Sequence, residues 1–388
     1  MTLSKRKICV VVTARPSYSR IKTALKSIQE HPELKLQLIL AASALSNRYG
    51  SIREQVIKDG FNIDGEVFNI VDSDNLTAAA KTTGLGIIEL TSVFHRIKPD
   101  IVVTIADRFE TIATAIASAY MNIPLAHIQG GEVTGNIDEK VRHAITKIAD
   151  YHFVSSKYAY DRVLKLGEDP EFIFTTGCPS IDLAKSVLES HYDQLNPIEK
   201  YGGVGAEINV ENDYLVVLQH PVTNQYEKGR KHIQDTLEVV HRINMPTFWF
   251  WPNVDLGTDE VSKGIRIFRE QNPSNKIRFF KNFESEDFIR LLIKSKCLIG
   301  NSSAGIRECS FLGVPVVNIG TRQLGRDRGF NVIDVGNDKL EIENAINTCL
   351  RSDKPKPSDL YGNGEAGKRI ANYLSKVELK FHKKNNFK

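Results

Sequence analysis

Ionisable residues gather in a few short stretches of this chain, each directly after an apolar run, and their types suit two kinds of chemistry. One group is Asp107-Arg108-Phe109-Glu110, which follows Ile101-Val-Val-Thr-Ile105. Another follows Leu125-Ala-His127-Ile128 and holds Gln129, Glu132, Asp138 and Glu139, with Gly130-Gly131 allowing a tight backbone turn. Clustered carboxylates suit proton abstraction from carbon, because like charges in a confined site raise one another's pKa toward a useful value. Blander readings accompany each group. Asp107 and Glu110 ahead of an apolar helical run match a capping box, Asp138 can cap the helix that follows it, and His127 points sideways from its strand as a packed or hydrogen-bonded residue. For Asp107 the two readings are compatible, since an N-cap at a strand's C-terminal end also faces the crevice there.

The second kind of chemistry is the binding of anions and sugar hydroxyls. Arg15 stands at the end of the apolar run Ile8-Cys-Val-Val-Val12, with Ser17, Ser19 and Arg20 behind it in the loop that leads into a helix. Helix N-termini favour anions through their N–H groups and dipole. His220-Pro221-Val-Thr223 follows a buried strand and supplies an imidazole as ligand or acid/base group, while Asn253 lies just beyond the aromatic run Phe248-Trp-Phe-Trp251. Gly300-Asn301-Ser302-Ser303-Ala304-Gly305 opens a helix with small residues that let a phosphate approach, and Glu308 on the next turn suits the two hydroxyls of a ribose. An ordinary serine N-cap is the alternative there. Arg322 adds a cation after another strand.

Two other motifs fail. Gly362 to Arg369 fits the glycine and lysine positions of a phosphate-binding loop, but Arg369 stands where a magnesium-binding Ser or Thr belongs and no buried strand precedes it. No histidine pair has metal-ligand spacing, so no metal is expected. The first loop also lacks the glycine fingerprint of nicotinamide and flavin sites.

The elements that must position these residues alternate strand and helix throughout, which implies parallel, doubly wound sheets. The first series reads strand 8–12, a helix from near Ile21, strand 36–41, helix 51–59, strand 66–71, helix 75–95, strand 101–105 and helix 108–121. It continues with strand 124–128, helix 138–149, strand 151–155, helix 157–166 and strand 172–176. After a polar stretch, 190–213, a second series reads strand 214–218, helix 228–243, strand 247–251, helix 258–271, strand 277–280, helix 284–296, strand 297–300, helix 304–312 and strand 315–319. A last helical pattern covers 367–379. The expected architecture is α/β, two Rossmann-like domains facing a central cleft, with domains at 1–178 and 179–365 and a C-terminal helix and basic tail at 366–388.

Composition agrees with that architecture. A chain of 388 residues exceeds what one core usually serves, and 41% apolar with 25% charged residues excludes a disordered protein. A net charge of +4 from 51 basic and 47 acidic residues is too balanced to imply nucleic acid. Cys9, Cys178, Cys297, Cys309 and Cys349 are scattered and odd in number, which suits reduced buried thiols and a reducing cytoplasm. The N-terminus lacks the pattern of a signal peptide, and no apolar run approaches the roughly 20 residues a membrane helix needs.

Taken together, these residues resemble the hydrolysing UDP-N-acetylglucosamine 2-epimerases of sialic acid and related nonulosonate biosynthesis. The matching pieces are Asp107-Arg108-Phe109, Asn122 to His127 with Gly130-Gly131-Glu132-Val-Thr-Gly135, Ile137-Asp138 through Arg142-His143 to Lys147, His220-Pro221-Val-Thr223 and Trp251-Pro252-Asn253. Gly300 to Glu308 and Gly320-Thr321-Arg322-Gln323 complete the set. The resemblance implies a glycosyltransferase-B-like fold, no cofactor and a homo-oligomer, dimer or tetramer. It implies anti elimination of UDP after loss of the proton on the carbon bearing the acetamido group, then hydration of the glycal to N-acetylmannosamine. By position, Asp107, Glu132 and Asp138 are the acid/base candidates, and His220 would help the diphosphate depart. Arg15, Ser19, Arg108, His220, Asn253, Ser302, Ser303, Glu308 and Arg322 would bind the UDP-sugar.

Two departures stand out. Ser17 occupies a place where many relatives have an acid, and Gln129 stands where many have Glu. An amide cannot take a proton from carbon at neutral pH, so the base falls to Glu132 or Asp107. The competing readings are the same reaction on a UDP-2,4-diacetamido-2,4,6-trideoxyhexose of the legionaminic acid pathway, a glycosyltransferase-B-type sugar transferase, and a non-catalytic UDP-sugar binder.

Overall fold

A computed structural model describes residues 5–46, 51–71, 76–105, 108–134, 137–190, 195–252, 257–379 and 383–386. The chain forms two compact units: 1–132, 137–183 and 361–388 make the first, and 133–136 with 184–360 make the second. The expected boundary at 178/179 thus falls at 183/184. The C-terminal piece expected at 366–388 is not separate but returns to the first unit from residue 361.

In the first unit, seven parallel strands lie in the order β3 (Gly65–Val67), β2 (Leu34–Ala41), β1 (Arg6–Val12), β4 (Ile101–Ile105), β5 (Leu125–Ile128), β6 (Tyr151–Val154) and β7 (Ile173–Thr175). The alternation of strand side chains divides β1 cleanly. Ile8, Val10 and Val12 join one core cluster with Ile21 and Leu25 of α1 (Arg15–Glu30) and Ile370 and Leu374 of α15 (Ala366–Lys376). Cys9 and Val11 face the other, with Phe94 of α3 (Leu76–Ile97), Ala113 and Ala117 of α4 (Ile112–Tyr120), and Ile145 of α5 (Ile137–Ile148). Both faces are covered, which is why β1 reads as a continuous apolar run.

Helix α15 is tied to this unit at both ends. Asp182, in α7 (Pro179–Glu189), accepts from the backbone N–H groups of Ala366 at 2.9 Å and Gly367 at 2.7 Å, and Arg6 donates to the carbonyls of Leu374 and Val377 at the far end. Gly367 is forced by packing, since a Cβ there would stand 2.8 Å from the Thr23 carbonyl oxygen on α1. Beyond it, Lys383 reaches Glu168, which follows α6 (Lys157–Lys165), and donates to the carbonyl of Thr146 at the end of α5.

The second sheet runs β14 (Val332–Val335), β13 (Val316–Ile319), β12 (Cys297–Gly300), β9 (Leu215–Leu218), β10 (Thr247–Phe250), β11 (Ile277–Phe280) and β8 (Val204–Gly205). It is not wholly parallel: β8, inside the stretch expected to be linker, pairs antiparallel with β11. Helices α9 (Gly229–Ile243), α10 (Thr258–Gln271) and α14 (Lys339–Arg351) pack on the face carrying Leu215 and Val217, and α11 (Ser285–Lys294) packs with Tyr214 and Val216 on the other.

Other expectations shift. Helix α1 begins at Arg15, not near Ile21, with Pro16 in its first turn, where a missing N–H costs nothing. The helix expected over 304–312 is two short ones, α12 (Ser303–Ile306) and α13 (Glu308–Leu312), broken at Arg307 with φ −100° and ψ −70°. The strand expected at 66–71 is only Gly65–Val67, and α7, β14 and α14 were not expected. All five cysteines are buried free thiols. Among the described residues no helix is long and apolar enough to cross a membrane.

Candidate active site

In each sheet the strand order reverses beside the unit's first parallel strand, and at such a point the loops after neighbouring strands diverge and leave a crevice at their C-terminal ends. In the first unit the reversal lies between β1 and β4, and in the second between β9 and β12. Of the described residues singled out from the sequence, Arg15 and Arg108 follow β1 and β4, His220 and Ser302-Ser303 follow β9 and β12, Glu132 follows β5 and Arg322 follows β13.

After β1 the chain turns directly into α1, which places Arg15 in its first turn and Ser19 one turn on, with the Ser19 hydroxyl near the Arg15 carbonyl at 3.4 Å. Ser17 is buried between them. After β4, Arg108 forms an ion pair with buried Glu110, Nε to Oε1 2.8 Å. The Thr13 and Thr111 hydroxyls, 3.4 Å apart, join the loops after β1 and β4. Asp107 and Asn253 lie outside the described residues.

The loop after β5 is held from three sides. Gly131 has φ +74°, and a Cβ on it would stand 2.3 Å from the Ala159 carbonyl oxygen in α6, so only glycine fits this close approach. Buried Arg142 of α5 donates to the Glu132 carbonyl at 2.8 Å, and the Ser155 hydroxyl just past β6 donates to Glu132 Oε1 at 3.0 Å. Glu132 is thus a fixed, buried carboxylate beside the end of β5. Asp138 is half-buried in the first turn of α5, inside the helix rather than at its N-cap. His127 is packed within the unit, its Nδ1 3.2 Å from the Thr146 hydroxyl, as its place in the strand suggests.

Gln129 stands apart. It is 1% exposed, takes a left-handed backbone at φ +67°, and its Nε2 lies 3.0 Å from the Cys178 sulfur. A non-glycine residue held in that conformation costs about 1 kcal/mol or more, which the surrounding structure must offset. Its amide is engaged with a thiol, and neither its chemistry nor its contact suits it to act as a base.

In the second unit, His220 follows β9 and Ser302-Ser303 follow β12. The Ser302 hydroxyl oxygen accepts from the Ala304 N–H at 3.3 Å, so the serine caps α12 here, and Glu308 opens α13 half-buried. Arg322 donates to the Asn301 carbonyl oxygen at 3.3 Å and buried Gln323 to the same atom at 2.9 Å. Gln219, His220, Asn301 and Asn337 line a small pocket that extends to His232, whose imidazole burial holds below its usual pKa. Asn301 and Gln323 were not among the expected binding residues. The sequence carried no sign of their contacts, which depend on two strands distant in the chain lying side by side.

Among the described residues, no cluster of three His, Cys, Asp or Glu side chains is placed to hold a metal ion. Two doubly wound α/β units with polar loops at their switch points define a glycosyltransferase-B-like fold. The family model described as UDP-N-acetylglucosamine 2-epimerase matches residues 26–375, and the chain belongs to that family. It is 30% identical to the UDP-N,N'-diacetylbacillosamine 2-epimerase (hydrolyzing) of Legionella pneumophila, over 96% of this chain and 97% of the relative. It is 33% identical to the polysialic acid biosynthesis protein P7 of Escherichia coli, over 88% and 85%. The crystal structure of the Neisseria meningitidis UDP-GlcNAc 2-epimerase bound to UDP-GlcNAc superposes with a TM-score of 0.79 at 19% identity, covering 96% of this chain and 100% of that one.

Proposed function

We propose that the protein is a hydrolysing 2-epimerase that converts UDP-N-acetylglucosamine to N-acetylmannosamine and UDP. The observation that supports this most is the sorting of residue types between the loops that follow the strands of the two units. Carboxylates and arginines gather in the first unit, while an imidazole, two serines, an acid and an arginine gather in the second. A carboxylate of the first unit takes the proton from the carbon bearing the acetamido group. The bond from the anomeric carbon to the diphosphate oxygen breaks, and UDP leaves with its electron pair. Water then adds to the glycal, its hydroxyl going to the anomeric carbon and a proton returning to the neighbouring carbon.

Glu132 and Asp107 are the candidates for the base, with Asp138 as the further acid/base group, because Gln129 offers only an amide. Arg15, Ser19, Arg108, His220, Asn253, Ser302, Ser303, Glu308 and Arg322 bind the UDP-sugar in this reading. The cationic and hydroxyl donors oppose the negative charge that grows on the departing diphosphate.

A second reading, the same reaction on UDP-N,N'-diacetylbacillosamine, is favoured by the name and full-length similarity of the Legionella relative. Incubation of purified protein with each UDP-sugar and identification of the products by mass spectrometry separates the two. Release of neither UDP nor a free 2-epimerised sugar from either substrate refutes both.

A further inference from the structure

We propose that Asn301 is a positioning residue whose side-chain amide sets where the His220 imidazole stands. The inference rests on the reading of His220 as a UDP-binding group. Strands β9 and β12 are parallel neighbours with Leu218 opposite Gly300, and the Asn301 N–H donates to the Leu218 carbonyl oxygen at 3.2 Å. Gly300 has φ +131°, and a Cβ there would fall 2.2 Å from the Leu218 carbonyl oxygen. The next residue turns its side chain across to the other segment. Asn301 Oδ1 accepts from the His220 N–H at 2.7 Å, and Asn301 Nδ2 donates to the His220 carbonyl oxygen at 2.9 Å.

One amide therefore pairs both backbone polar groups of His220 just past the end of the sheet. Asn301 is 2% and His220 4% exposed, so water does not substitute readily for either bond. The pairing fixes the backbone from which the imidazole projects, and Pro221 narrows the conformations of His220 further. The main-chain carbonyl of Asn301 meanwhile accepts from Arg322 and Gln323, so the segment that aims His220 also receives the loop carrying the cation.

Only asparagine meets these demands at this reach. Aspartate keeps the acceptor but sets an oxygen against the His220 carbonyl, and an aliphatic residue leaves both groups buried and unpaired.

The test is a double-mutant cycle of Asn301→Asp with His220→Ala, read by calorimetric UDP affinity and kcat/KM, with thermal melts confirming that each variant is folded. With His220 present, Asn301→Asp weakens UDP binding by about tenfold or more. With alanine at 220 there is no imidazole to misplace, and the same change costs less than about threefold. Equal losses in both backgrounds, or no loss in either, overturn the proposal, because a merely structural asparagine acts alike whatever side chain residue 220 carries. Asn301→Ser, which removes the Nδ2 donor without adding charge, replaces Asn301→Asp if the latter melts below the assay temperature, with the same non-additivity expected. If the unmutated protein binds no UDP, the functional reading falls and takes the inference with it; if it binds UDP and the cycle is additive, only the inference falls.

Discussion

Replacing Glu168 with Gln tests how far an ion network in the first unit supports the helix that carries Asp138. Glu168 is 3% exposed and faces three donors: Lys147 Nζ at 2.6 Å, Lys383 Nζ at 2.7 Å and His152 Nε2 at 3.0 Å. Lys147 belongs to α5, and Lys383 caps the end of the same helix through the Thr146 and Ala149 carbonyls. Burial alone would raise the Glu168 pKa, but the hydrogen bonds from His152, Lys147 and Lys383 outweigh it and hold the carboxyl at about 2. From an ordinary 4.5, that shift corresponds to about 3 kcal/mol, and since the Lys147 and Lys383 side chains are 36% and 22% exposed we discount it to about 2 kcal/mol.

For a unit of roughly 200 residues this lowers Tm by about 4–8 °C at pH 7. A carboxyl whose folded pKa is depressed stabilises fully above its unfolded pKa and loses that contribution as pH falls through the folded value. The gap between Glu168→Gln and the parent should therefore be complete above about pH 4.5 and close toward pH 2. His152 adds a slope in the same sense at higher pH. Burial lowers its pKa below 6.5, so the parent loses stability as pH falls below 6.5, before Glu168 begins to protonate. Differential scanning calorimetry of both proteins from pH 7 to pH 3 is the assay. A Tm difference under 1 °C at pH 7, or one that stays constant down to pH 3, refutes the reasoning.

Asp107→Asn and Glu132→Gln should each reduce turnover at least about a hundredfold while calorimetric UDP affinity is kept, and near-normal turnover in both removes these carboxylates from the mechanism. In heavy water the free sugar product should carry one deuteron on the carbon bearing the acetamido group, as proton nuclear magnetic resonance will show; retention of the original proton excludes elimination. Gly131→Ala should lower both Tm and turnover, at a cost of about 1–3 kcal/mol for the left-handed turn plus the clash with Ala159, and an unchanged melt would contradict the close approach described.

Strong periodicity made much of the fold legible in the sequence. Strands 101–105, 277–280 and 297–300 and helix 258–271 are found at their expected bounds, because fully buried apolar runs and clean helical spacing leave few alternatives. Helix α14 carries its own signals in the sequence, an Asp338 cap and Ile342, Ala345, Ile346 and Cys349 on one buried face, which continue the strand–helix alternation past residue 319. The break at Arg307 has no periodic signature, since an apolar stripe continues across it. Among the candidate site residues, Arg15, Glu132, His220, Ser302 and Arg322 stand after strands whose apolar runs were legible in the sequence. The partners that fix them were not, because Ser155 meets Glu132 and Asn301 meets His220 only once nonlocal strands are adjacent.

The return of α15 to the first unit also sets an order of completion during synthesis. Residues 184–360 leave the ribosome between the bulk of the first unit and its last piece, a wait of roughly 10–35 seconds at ordinary elongation rates. Through that interval Ile21 and Leu25 lack Ile370 and Leu374, and Asp182 lacks the N–H groups it will cap. The second unit to be translated is thus the first whose residues are all available, and the unit begun first closes last.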